Sequence, residues 1–469
     1  MVSTRTPFVA SLCMALLGCA EVGPDYRVPP AAIVNAPAAN GAFVSGGSAV
    51  SETPLPNQWW HLFDDPVLDG LVEKALASNV DLKAAQANLE QSDALLAEAR
   101  TNREISTTVD AETSYTQQSA EAVLSHVEPP RHEIYNVGVT MSYDLDLFGG
   151  IRRGIEAASA ENEAVVAARD LVRVNVAAET ARAYSDLCNA GHEMDVLQRV
   201  ISVQQQSLAL TQELIANGRA ASFEEGRQRV PVESSQSQLA PLRARQLNAA
   251  FRLATLMGQP PKEYDRSLLA CHTPLKLHSL LPTGDGEALL KRRPDVRAAE
   301  RRLAASSAEI GVVTAQLYPD IRIGATIGST GAAASFFTPL TNRFAVGPMV
   351  SWDLHRSAIR DRIAASEAQS RASLDHFDSV VLTALRETET SLDTYAAALD
   401  QLRNLENARD AALQVMQKTD QLRQGGKVSG LVALDAERTW VAADIAVASA
   451  QADVNSDQIA AFLALGGGW

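Results

Sequence analysis

Two hydrophobic periods alternate along this chain, and the alternation occurs twice. Between Asn79 and Arg100, apolar or small residues fall at Leu82, Ala85, Leu89, Ser92, Leu96 and Ala99. That 3,4 spacing predicts a helix with a coiled-coil seam. The period then drops to two. In Glu104 to Tyr115, one face carries Ile105, Thr107, Val109, Ala111, Thr113 and Tyr115, and the other Ser106, Thr108, Asp110, Glu112 and Ser114. A partner strand alternates more cleanly, with Tyr135, Val137, Val139, Met141, Tyr143 and Leu145 on its apolar face. The same order returns later in weaker form. Ile321, Ile323, Ala325 and Ile327 share one face of a strand, and Phe344, Val346, Pro348, Val350, Trp352 and Leu354 share one face of the next.

A very long helix is expected after each strand pair. From Gly149 to Ile215 there is no proline, and glycine occurs only at the start and at Gly191. This is about 67 residues, or about 100 Å at 1.5 Å per residue. The seam runs Ala157, Ala160, Ala164, Ala167, Leu171, Val174, Ala178, Ala181, Ser185, Cys188. It then shifts phase to Val196, Val200, Val203, Ser207, Leu210, Leu214. The shift predicts a change of packing near Gly191. Ala358 to Arg423 repeats the length without glycine or proline. A globular domain has no use for two helices of this length, whereas the wall of a tube has.

The chain is written twice. Asn79 to Ala85 aligns with Arg293 to Ala299, and Tyr143-Asp144-Leu145 with Trp352-Asp353-Leu354. Ile151 to Ile155 aligns with Ile359 to Ile363, Asn217-Gly218-Arg219 with Gly425-Gly426-Lys427, and Leu256-Met257-Gly258 with Ala464-Leu465-Gly466. The order is constant and the offset nearly so, which predicts two structural repeats related by pseudosymmetry. Strands of about ten residues, apolar on one face and polar on the other, fit a transmembrane barrel or a half-buried soluble sheet. Four strands cannot close a barrel, and open edges are not tolerated in lipid. The membrane reading therefore requires several chains to share one barrel, and three chains would supply twelve strands.

Composition narrows the function. The 469 residues carry a formal net charge of -15, which argues against nucleic acid as a partner. Aromatic content is 5%, and alanine is abundant, as suits thin, closely packed helical seams. No uncharged apolar run of about 18 residues follows the first segment, so a spanning helix is not expected. The eight histidines form no metal-spaced set. No glycine-rich phosphate loop and no Ser/His/Asp arrangement occurs, so no catalytic residue, metal or cofactor is expected and the chain is not read as an enzyme. Cys188 and Cys271 have two open roles. They would pair in an oxidising compartment, or Cys188 would serve as a small buried residue, which its seam position favours.

The first segment carries a local signal. Arg5 precedes a short apolar stretch from Phe8 to Leu17, and Leu16-Leu17-Gly18-Cys19 follows. This is the form of a bacterial lipoprotein signal, residues 1–18, with Cys19 as the lipid-bearing residue of the mature chain. The alternative is an ordinary secretory signal with an incidental cysteine. Ala20, where lipoproteins retained in the inner membrane carry Asp, favours export to the outer membrane.

Several motifs resemble one family. Cys19 to Pro29 is similar to the mature start of OprM/NodT-type outer-membrane efflux lipoproteins. Trp59-Trp60 with Phe63-Asp64-Asp65-Pro66-Val67-Leu68 is similar to the next segment of that family. Arg292 to Glu300 and Gln316-Leu317-Tyr318-Pro319 resemble two further signatures. The resemblance covers essentially the whole mature chain. It implies a TolC-like fold, mainly α with a transmembrane β part. In that fold a homotrimer builds a twelve-stranded barrel in the outer membrane of a Gram-negative bacterium above a long periplasmic α-helical barrel. The implied partners are a periplasmic membrane-fusion adaptor and an inner-membrane pump, of RND type.

The expected organisation is a lipid-anchored extended segment at 19–63, a first repeat at 64–258, a linker at 259–283 and a second repeat at 284–469. The strand pairs are expected within 104–146 and 320–354, and the long helices at 149–216 and 358–424. The expected function is passive conduction of drugs and toxic small molecules, with the energy supplied by the pump. An acidic tunnel would favour cations. The gate is expected at the helix reversals, Asn217 to Ser222 and Gly425 to Gly430. The resemblance places gating carboxylates just after the second turn. Asp435, in Leu434-Asp435-Ala436-Glu437-Arg438, matches the second gate aspartate, whereas the first has become Val432. The first-half equivalent of Asp435 is Arg227. Candidate gate residues are Arg219, Glu224, Glu225, Lys427, Asp435 and Arg438. Asp435 and Arg438 would alternatively be an exposed helix pair of little weight. The runner-up function is a duct for type I protein secretion. A periplasmic coiled-coil adaptor would fit the helices but not the strands.

Overall fold

The structure is a computed structural model describing residues 21–467. Cys19 and the signal segment lie outside the described residues. Among the described residues, no helix is long and apolar enough to cross a membrane. The chain divides into two compact units. One holds the four long strands and the helix portions next to them, and the other holds the remaining helical segments.

Each repeat contributes four helices and two long strands in one order. The first repeat has α1 (Pro66–Ser78), α2 (Val80–Thr101), β2 (Ser106–Thr116), β3 (His132–Asp144), α3 (Gly150–Ala216) and α4 (Phe223–Leu256). The second has α5 (Gly286–Arg292), α6 (Pro294–Ala315), β5 (Asp320–Ala332), β6 (Asn342–Ser351), α7 (Arg356–Gln424) and α8 (Gly430–Ala464). Two further short strands, β1 (Val50–Ser51) and β4 (Leu281–Pro282), pair in parallel. Local chemistry sets several boundaries. The Asp65 carboxylate caps α1 by accepting from the Val67 and Leu68 amides, with Pro66 at the first helical position. Asp285 caps α5 through the Ala288 amide.

In the strand-bearing unit, the sheet order is β2-β3-β5-β6, antiparallel throughout. The β3–β5 pairing joins the two repeats, so β2 and β6 are the edges. Pro348, which has no backbone donor, falls on edge strand β6, where a missing ladder hydrogen bond is tolerated. Beside the sheet, Phe148 stacks on Tyr318 with ring centroids 4.4 Å apart.

The helical unit is centred on Trp59, Trp60, Phe63 and Phe462. Trp59 and Phe462 stack at 4.6 Å, and Leu68, Val72, Leu187, Leu253, Leu289, Leu392 and Ile459 pack around them. The Tyr184 hydroxyl donates to Asp65 at 3.1 Å, and burial beside that carboxylate pushes the phenol well above its ordinary range.

One expectation is corrected here. The seam position of Cys188 favours a small buried residue over pairing; Cys188 is buried, but it is also bonded to Cys271 with Cα atoms 4.8 Å apart. The physical reason lies at Gly191, one turn further on. A Cβ at Gly191 would collide with the Cys271 carbonyl oxygen and crowd His272 and Gln246. The segment after α4 therefore crosses α3 in direct contact with its backbone, and the two sulfurs meet beside that crossing.

Candidate functional site

The sheet presents two chemically opposed faces. Val109, Val139, Ile327 and Phe344 are cross-strand neighbours and form one row over all four strands. Val109 is 68% exposed, Ile327 65% and Phe344 84%. An exposed apolar band of this kind suits hydrocarbon and not water. On the opposite face, Thr108, Thr140 and Thr326 form one row and Asp110, Gly138, Gly328 and Arg343 the next. Nearer the helices, Arg322 pairs with Asp144 at 2.6 Å and Asp320 at 2.8 Å. The sheet is thus apolar on one side and polar on the other, with both edges unpaired among the described residues.

The residues following the expected lipid site are pinned beside these strands. The Val22 amide donates to the Phe148 carbonyl at 3.2 Å. Arg153, only 3% exposed, pairs with Asp25 at 2.7 Å, Glu156 at 2.7 Å and Glu21 at 3.5 Å. Burial of the guanidinium opposes its charge, and these carboxylates more than compensate, so its pKa is raised. Gly23, at φ 89°, lies against Gly311, where a Cβ on either residue would clash.

The two helix reversals are built alike. Gly218 has φ 68° and Gly426 has φ 67°. The Arg219 amide donates to the Leu214 carbonyl at 2.7 Å, and the Lys427 amide to the Leu422 carbonyl at 2.9 Å. Each glycine adopts the left-handed conformation, so that the following amide satisfies an orphan carbonyl of the last helical turn. The aligned triplets Asn217-Gly218-Arg219 and Gly425-Gly426-Lys427 are therefore the same stop signal.

Behind these turns, the ends of α3 and α7 and the starts of α4 and α8 enclose a groove of about 540 Å³. Ser207 donates to both oxygens of Glu437, at 2.8 and 3.0 Å. Burial pushes the Glu437 carboxyl above its usual range, opposed by the Ser207 hydrogen bond and the charge of Arg438. Asp420 pairs with Arg423 at 2.7 Å on the groove wall.

The six candidate gate residues have different settings. Glu224 lines the groove and pairs with Arg227 at 3.0 Å. Glu225 pairs with Arg229 at 2.6 Å and accepts from Gln212 at 3.2 Å. Arg219, Lys427, Asp435 and Arg438 are exposed, and among the described residues none of these four side chains forms an ion pair. Sequence reasoning missed Glu437 and Ser207 as a pair. A signal for it exists: Ser207 interrupts an otherwise apolar seam, and a hydroxyl on a buried seam needs a polar partner.

Residues 71–259 and 286–467 match the family described as outer membrane efflux protein. The outer-membrane channel OprN superposes with a TM-score of 0.87 at 32% identity, over 96% of this chain and 99% of that one. The pyoverdine export outer membrane protein OpmQ of Pseudomonas aeruginosa is 28% identical over 88% of this chain and 87% of its own length. The probable outer membrane lipoprotein SilC of Salmonella typhimurium is 24% identical over 98% of each. With two repeats, each carrying a strand pair and a very long helix, and a sheet suited to lipid on one face, the chain has the TolC-like fold and belongs to the outer membrane efflux protein family.

Proposed function

We propose that three copies of this chain share one twelve-stranded barrel, and that each is tethered to the outer membrane by a lipid on Cys19. The trimer is the exit duct of a tripartite pump. It receives drugs and other toxic small molecules from an inner-membrane transporter of RND type through a periplasmic adaptor. One observation carries the reading: a four-stranded sheet with a lipid-suited face and two open edges, β2 and β6. Such a sheet is not viable in hydrocarbon until both edges are paired, and further copies of the same sheet are the simplest source of partners. The anchoring of Glu21, Val22 and Asp25 beside the strands supports the tether, because it holds the residues next to Cys19 near the membrane-facing element.

Energy must come from elsewhere in the pump, since conduction through a tube is passive. We further place the resting closure at the two helix reversals, with Arg219, Glu224, Glu225, Lys427, Asp435 and Arg438 as the charged residues that hold it. Native mass spectrometry of the detergent-solubilised protein, with planar-bilayer recording on the same sample, tests the assembly. Trimers that conduct are expected, and a conducting monomer would contradict the proposal. Labelled palmitate should be incorporated by the parent and not by Cys19→Ser, and persistent label in the mutant would refute the tether.

A further inference from the structure

The polar face of the sheet carries one cation with an unusual setting. Arg343 starts on edge strand β6, yet its side chain runs inward over the sheet. Nε donates to Thr330 Oγ1 on β5 at 3.1 Å, and Nη2 donates to Asn136 Oδ1 on β3 at 2.8 Å. The path is open because the cross-strand neighbours of Arg343 in this row are Gly328 and Gly138. A Cβ at Gly138 would sit 3.0 Å from Nη2. The guanidinium is therefore laid flat across two strands and fixed by neutral oxygens.

This differs from the other arginine of the face, Arg322, whose charge is taken up by Asp144 and Asp320. Among the described residues no carboxylate lies within ion-pair distance of Arg343. Asp110 lies in the same row on β2, directly across from Gly138, and is beyond ion-pair distance of the guanidinium. A guanidinium has five N–H donors in a planar fork, and two are used here, leaving donors of the kind that match a carboxylate.

We propose that Arg343 is an anion-recognition station on the lumenal wall of the strand region. It favours carboxylate-bearing solutes locally, inside a duct whose overall charge is acidic. The inference rests on the reading of the polar face as lumenal. The inward direction of the side chain, away from the β6 edge, separates this role from an ion pair at a seam between copies.

The test places a thiol on the same face, one row nearer the helices, as Thr326→Cys. The full-length protein is reconstituted in liposomes and labelled with two impermeant thiosulfonates of similar size, one sulfonate-bearing and one trimethylammonium-bearing. Reaction of the parent chain is subtracted. The anionic-to-cationic rate ratio should fall roughly fivefold when Arg343→Gln is added, as expected for loss of a local potential of about 0.8 kT that acts with opposite sign on the two reagents. Arg343→Lys should retain most of it. No labelling of Thr326→Cys by either reagent would overturn the lumenal reading and the station with it. Labelling with an unchanged ratio would overturn the station alone. An unchanged ratio with a trimer that dissociates in detergent would instead assign Arg343 to the seam.

Discussion

Asn79 and Arg293, aligned positions of the two repeats, each hold the carbonyl of the last residue of a returning helix. Asn79 Nδ2 donates to the Leu256 carbonyl at 3.0 Å, and Arg293 Nη1 donates to the Ala464 carbonyl at 2.9 Å. These carbonyls have no intrahelical partner, so each long helical return ends on a side chain from the start of its own repeat. A left-handed glycine completes each join: Gly258 at φ 70° and Gly466 at φ 84°.

A first prediction concerns this join. A Cβ at Gly258 would stand 2.7 Å from the Ser78 carbonyl oxygen, on a backbone that already disfavours L side chains. Gly258→Ala should destabilise the helical unit by about 1–3 kcal/mol. Asn79→Ala should cost about 1–2 kcal/mol through the orphaned Leu256 carbonyl. Thermal unfolding in detergent, followed by far-UV circular dichroism, would show both as lowered midpoints. Midpoints equal to the parent's would mean that the join contributes nothing.

The disulfide gives a second. Cys188 and Cys271 are 83 residues apart in sequence, so the bond closes a long loop. Losing it should cost about 2–4 kcal/mol. The double variant Cys188→Ser with Cys271→Ser should therefore melt earlier than the parent, and added reductant should lower the parent's midpoint without changing the variant's. Intact-mass measurement of the alkylated parent checks the premise, because free thiols at both positions would refute it.

Much of this fold can be read from the sequence because periodicity reports burial directly. The alternation at Tyr135 to Tyr143 lies in β3, and the proline-free stretch from Gly149 lies in α3. The repeat was legible at its turns, since Gly218 and Gly426 are required by the same backbone conformation. Contacts distant in sequence were not legible. Gly191 marked a change of phase, but nothing local showed that the Cys271 carbonyl lies against it. The polar partner of Ser207 is 230 residues away, and only the three-dimensional join of α3 to α8 identifies it as Glu437. Motif matching drew attention to Asp435, which is exposed, and passed over the half-buried carboxylate two residues later.

That carboxylate supports a third prediction, on pH. The Glu437 pKa is raised above the ordinary glutamate value of 4.5, chiefly by burial. The folded chain therefore keeps this proton over a window in which the unfolded chain has lost it. Stability of the groove should fall as pH rises from about 4.5 through the raised folded value. Glu437→Gln, which retains an acceptor for Ser207, should flatten this dependence and slow opening of α8 at neutral pH. Amide exchange over residues 430–446, corrected for intrinsic rates, measures it. A parent whose opening free energy rises with pH across this window would contradict the assignment.

The last prediction concerns the proposed closure at the helix reversals. A duct spanning to the cell exterior must be shut at rest, or solutes would leak inward. The contacts that shut it must be weak enough for a docked partner to break. Within one chain, Glu224 and Glu225 are already satisfied by Arg227 and Arg229 on the same helix. Lys427 and Asp435 are exposed and without an ion pair among the described residues, which leaves them available to a neighbouring copy. Lys427 sits on the turn and Asp435 about two helical turns beyond it, so both lie where reversing helices of adjacent copies would approach. Combining Lys427→Ala with Asp435→Ala should raise single-channel conductance and sensitise cells to large antibiotics such as vancomycin. The variant should still form trimers, because the strands and the α3 and α7 seams are untouched. Exposed charges interact weakly one at a time, but a symmetric assembly repeats each contact around its axis, so the double variant should exceed either single one. Unchanged conductance and unchanged drug sensitivity at normal protein level would place the closure elsewhere in the duct.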